Sequence, residues 1–106
     1  MNHINVLLVD DEEELIAAWV ERLEMRGMNA AGATNGQEAI QLIKKNQYNV
    51  VVLDIRMPGI DGFELCSRLK SINGHRFFPV ILLTALTDKT SKIKGITSGA
   101  DDFISR

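Results

Sequence analysis

The chain is poor in the residues that staple or break structure. It has one cysteine, two prolines, one tryptophan, one tyrosine and four phenylalanines in 106 residues. With Cys66 alone there is no internal disulfide, and a reducing, cytosolic setting is the simplest fit. There is no excess of basic charge either: the formal net charge is −2, which argues against a nucleic-acid footprint. No apolar run approaches the length that crosses a membrane. The opening MNHINVLLVDDEEE carries a short apolar run that ends in acids, unlike a signal peptide. No repeat, low-complexity stretch or linker divides the chain, so residues 1–106 read as a single domain with one core.

What is present is an alternation of two periodicities. Ile4–Val9 is a first apolar, strand-like run. Leu15, Ile16, Trp19, Val20 and Leu23 then recur at helical spacing, with Trp19 expected in the core and Gly27 as a stop. Asn29–Ala33 is a weak, alanine-rich strand. Asn35 can cap a helix that carries Ala39, Ile40 and Ile43. Val50–Leu53 is a third strand, and Gly62–Ile72 shows Leu65, Cys66, Leu69 and Ile72 as another helical stripe. Pro79–Leu83 is a fourth strand. Residues 88–98 suggest a helix built from weak formers, and Asp102–Ser105 a short fifth strand. Strands alternating with helices imply an α/β fold with a parallel sheet and right-handed crossovers.

The stretch VVLDIRMPGIDG, residues 51–62, raises a chemical question. Its apolar run does not alternate, as expected for a strand covered on both faces. Yet the run ends directly in Asp54, and turn signals follow. A carboxylate at the carboxyl end of a central strand lies where open α/β sheets bind ligands. Asp10 and Asp11 stand in the same position after Leu7-Leu8-Val9. Glu12, Glu13 and Glu14 suit the positive end of a following helix instead. Asp10, Asp11 and Asp54 gathered at one edge would repel one another unless a cation sat among them, and all-oxygen ligands suit Mg²⁺. Thr84 ends the fourth strand with small Ala85 beside it. The hydroxyl of Thr84 could reach the same edge, and the fifth strand, ending near Ser105-Arg106, brings a cation there. His3 and His75 read as solvated surface residues, and Cys66 as a small buried hydrophobe.

LLVDDEEE, VVLDIRMPGIDG, PVILLTA and SGADDFIS, in this order and spacing, resemble the receiver domain of two-component response regulators. The resemblance spans the whole chain. It implies a flavodoxin-like, doubly wound five-stranded parallel sheet of order 2-1-3-4-5. It implies a signalling phosphoprotein of a phosphorelay, not an enzyme with an external substrate. Asp54 would accept a phosphoryl group from a histidine kinase or a histidine phosphotransfer protein. Asp10, Asp11, Asp54 and the backbone carbonyl of Arg56 would hold Mg²⁺ or Mn²⁺. Thr84 and Ala85 would border the attached phosphoryl group, with Thr84 and Phe103 as the switch that informs an output domain or downstream partner. Neither direct nucleic-acid binding nor membrane association is implied.

The chain departs from the family pattern in three places. Arg106 stands where the family has lysine, and Arg is not interchangeable with a point charge. The family's fifth helix would follow Arg106, so the chain reads as C-terminally truncated, with an apolar sheet face open to self-association. Phe103 lacks the hydroxyl of the commoner tyrosine. Two rival readings exist. A Mg²⁺-dependent phosphohydrolase would need a further acid–base group and a cap, for which no insertion is long enough. A pseudo-receiver is opposed by the intact Asp10, Asp11, Asp54 and Thr84.

Overall fold

The computed structural model describes residues 4–54, 62–72, 79–84 and 99–105. The strands are β1 (Asn5–Val9), β2 (Asn29–Ala33), β3 (Val50–Asp54), β4 (Val80–Thr84) and β5 (Asp102–Ser105), and the helices are α1 (Glu13–Met25), α2 (Gly36–Lys45) and α3 (Gly62–Ile72). The expected helix over 88–98 lies outside the described residues, as do His3, Arg56, His75, Ala85 and Arg106. All strand pairings are parallel, and the sheet order is β2-β1-β3-β4-β5. This is the expected order, with the switch point between β1 and β3.

The register explains the apolar runs of β1, β3 and β4. Leu7 pairs with Val51, and Val51 with Val80; Val9 pairs with Leu53, and Leu53 with Leu82. These six side chains are at most 1% exposed. They share one face, because alternate strand residues point the same way. They pack with Ala39 and Ile43 from α2 and with Leu65, Cys66 and Leu69 from α3. The intervening row, Leu8, Val52 and Ile81, is only half-buried.

Each helix is bounded by local chemistry. Asn35 caps α2, its Oδ1 accepting the Glu38 N–H at 2.8 Å. Glu38 Oε1 in turn accepts the Thr34 N–H at 3.3 Å, a reciprocal arrangement close to a capping box. At the end of α1, Gly27 takes φ 85°. Its N–H donates to the Glu24 carbonyl and the Met28 N–H to that of Leu23, a left-handed stop that favours glycine. Gly32 on β2 serves close packing instead: a Cβ there would lie 2.1 Å from Ile16 Cγ2. This lets α1 settle onto the β2 side of the sheet.

One core assignment is corrected. Trp19 is 45% exposed, whereas Ile16 is buried. Three residues turn a helix about 60° short of a full revolution, so Trp19 stands on the flank of the stripe that Ile16 centres. Its ring carries the Arg22 guanidinium, 5.8 Å from the centroid. Cys66 is fully buried, as expected.

Candidate functional site

The carboxyl ends of β1 and β3 bring two acids side by side. Val9 pairs with Leu53, so Asp10 and Asp54 come next on neighbouring strands. Asp54 is 1% exposed and Asp10 5%, and no other charged side chain is buried among the described residues. Taking carboxylates out of water is costly unless they are partnered, and a fold does not place two of them at one edge for packing alone.

Asp10 also shapes the turn into α1. Its N–H donates to the Ala33 carbonyl at 3.1 Å. Its Oδ1 accepts the Glu12 N–H at 3.1 Å. Glu12 is the N-cap of α1 in extended conformation, but its side chain makes no capping bond. The carboxylate oxygens of Asp10, Asp11 and Glu12 lie within 4.8 Å of one another. Asp11 and Glu12 are exposed. The set offers only oxygen ligands, buried on one side and open on the other, which suits a hard divalent cation that keeps part of its water.

The sequence reading and the structure differ in one respect here. Asp10 and Asp11 come together as expected. The third member of their tight group is Glu12, not Asp54. By its sequence Glu12 suits the helix dipole with Glu13 and Glu14. Its place directly before the helix, third in a run of five acids after an apolar strand, is the signal that could have singled it out. Asp54 is the neighbour on the next strand.

The remaining strand ends step outward from Asp54. Leu83 pairs with Asp54, Thr84 follows it at the end of β4, and Ser105 pairs with Thr84. Phe103 pairs with Leu82, two positions deeper on the β5 ladder. Carboxylates and a hydroxyl-bearing residue thus meet the same sheet edge from three adjacent strands. That is where a doubly wound sheet with this switch point binds its ligand.

Comparison with known proteins shows the family to which this fold belongs. The response regulator receiver domain family matches residues 6–106, and the chain belongs to that family. Receiver domains are signalling modules of two-component systems, not conventional enzymes. A probable transcriptional regulator, ycf27 of Porphyridium aerugineum, is 36% identical over 98% of this chain and 42% of its own length. The receiver domain of the Francisella response regulator 1452 is 36% identical with TM-score 0.86, covering 98% of this chain and 84% of that one. The Vibrio cholerae chemotaxis protein CheY4 superposes with TM-score 0.92 at 27% identity, covering 99% and 88% respectively. The chain spans less than half the length of the curated relatives it matches. No helix among the described residues is long and apolar enough to cross a membrane.

Proposed function

We propose that this domain is a phosphoacceptor switch in a cytoplasmic phosphorelay. Asp54 takes a phosphoryl group from the phosphohistidine of a kinase or phosphotransfer protein. The observation that carries this reading is a carboxylate, 1% exposed, closing an otherwise apolar central strand beside a second buried acid. Its use as a nucleophile accounts for a charge that packing does not.

In the transfer, an Asp54 carboxylate oxygen attacks phosphorus. The bond between phosphorus and the donor imidazole nitrogen breaks, and its electron pair returns to the ring. The product is an acyl phosphate. Asp10, Asp11 and Glu12, with Asp54 and the Arg56 carbonyl adjoining, would hold Mg²⁺ or Mn²⁺, which when bound offsets charge on the transferring oxygens. Thr84 donates its hydroxyl to the attached group, with Ala85 leaving space, and Arg106 supplies a cation. The added negative charge then draws Thr84 inward and repacks Phe103, a local electrostatic event read by an output domain or downstream partner.

Incubation with a small phosphodonor and Mg²⁺, followed by intact-mass measurement, tests the proposal. A single phosphoryl adduct is expected on the wild type and none on Asp54→Asn, whose amide is near-isosteric but a poor nucleophile. An adduct of equal yield on the variant would place the acceptor elsewhere.

A further inference from the structure

The edge opposite the acids carries a second charged arrangement. Asp101, the residue before β5, binds Val80 at the root of β4 twice. Its N–H donates to the Val80 carbonyl at 2.9 Å. Its Oδ2 accepts the Val80 N–H at 2.8 Å. The carboxylate thus stands in for a strand carbonyl as the first rung of the β4–β5 ladder. The same oxygen accepts Lys70 Nζ from α3 at 2.6 Å. Gly99, at φ 96°, leads the chain into this turn, and a Cβ there would sit 3.5 Å from Lys70 Cγ, so the lysine stem lies along the glycine. The pair is partly shielded, with Lys70 24% and Asp101 33% exposed.

The position of this arrangement gives it leverage. β5 has four residues and is the outermost strand, with β4 as its one neighbour in the sheet. A short edge strand with one partner is the first to open locally. Its root is held by the Asp101 group. Its far end, Ser105, reaches the carboxylate edge beside Thr84.

We propose that Lys70 and Asp101 form a latch that holds the root of β5 and so keeps its outer end at the phosphoacceptor edge. The two are positioning residues acting through the strand, and the second half of the statement rests on the function proposed above. α3 thereby becomes part of the device that places the β5 end.

Amide hydrogen exchange and phosphodonor labelling, measured on the same variants, test the latch. Lys70→Met should accelerate exchange at Phe103, Ile104 and Ser105 by about fivefold, as expected for losing a partly shielded ion pair at a strand root. Amides of β1 and β3 should keep their wild-type rates, and labelling of Asp54 should slow. Lys70→Arg should restore both. Asp101→Asn keeps an acceptor for Val80 and should match Lys70→Met, and combining the two should add nothing. Unchanged exchange in β5 overturns the latch. Faster exchange with wild-type labelling overturns its positioning role. If the wild type takes no phosphoryl group at all, the function proposal fails, and the exchange data alone decide the latch.

Discussion

The two edges of the sheet solve the same problem with different chemistry. At the amino edge the starts of β1, β2 and β3 are tied by neutral amides, and the Lys70–Asp101 pair holds only the β4–β5 root. Asn49 Oδ1 accepts the Asn5 N–H at 2.7 Å, and the Asn49 N–H donates to the Asn5 carbonyl at 2.8 Å. Asn5 Oδ1 accepts from the Asn29 side chain at 3.0 Å. Donors and acceptors pair within the fold, and among the described residues no charged side chain of this edge is fully buried. At the carboxyl edge the fold buries Asp10 and Asp54 and crowds Asp11 and Glu12 against the first of them. Stability explains the amide edge. It does not explain the acid edge, where like charges gather. The difference separates residues kept for folding from residues kept for chemistry.

Substitutions at the two edges should therefore part in opposite directions. The largest effect is functional: Asp54→Asn should lose all phosphodonor labelling while its metal-free melting temperature holds or rises, because a buried charge beside Asp10 is removed. A lower melting temperature with labelling retained would make Asp54 a structural acid. Asp11→Ala comes next. It should weaken Mg²⁺ binding in a calorimetric titration and slow labelling, while relief of repulsion raises the metal-free melting temperature. Unaltered Mg²⁺ affinity would return Asp11 to the status of a helix-start acid.

The structural substitutions run the other way. Gly32→Val should cost about 1–3 kcal/mol in urea unfolding, since the new side chain meets Ile16 and α1 must shift. At the amino edge, Asn49→Ala should cost about 1 kcal/mol through the lost bond to the Asn5 N–H, and labelling should proceed at the wild-type rate. If Asn49→Ala slowed labelling as strongly as Asp11→Ala, the separation of the two edges would fail.

The smallest effect concerns acid. Burial pushes the Asp101 carboxyl up, but the Lys70 hydrogen bond, the Val80 N–H and the lysine charge outweigh it and hold it below its ordinary value. A carboxyl held low in the folded state stabilises the fold above the ordinary carboxylate range and loses that contribution as pH falls through and below it. Lys70→Met should flatten this part of the acid-unfolding curve slightly, because the pair is partly solvated. A stability difference between the two proteins that stayed constant from neutral pH down through pH 3 would show that the pair does not hold Asp101 low.

Much of this was legible in the sequence because the relevant signals are local. Short apolar runs and helical stripes placed every described strand and helix within two residues of its bounds. Asn35 announced the α2 start and Gly27 the α1 stop. Asp10 and Asp54 stood out because a carboxylate directly after an unbroken apolar run breaks its own pattern. Glu12 was ambiguous because a helix-start acid and a cluster acid look alike in one dimension. They differ only in whether the side chain turns back to cap the helix, and here it does not.

The order of elements, their capping and the presence of acids at strand ends were thus determined by the sequence itself, since each depends on residues a few positions apart. Tertiary structure decided the rest. It set the rotation of α1 that buries Ile16 and leaves Trp19 on the flank. It chose which acids share a space. It joined Lys70 to Asp101 across 31 residues of chain. A helix can turn its stripe several ways without changing its pattern, and an ion pair between distant segments leaves no periodicity. Both are settled only when the sheet register fixes where each element docks.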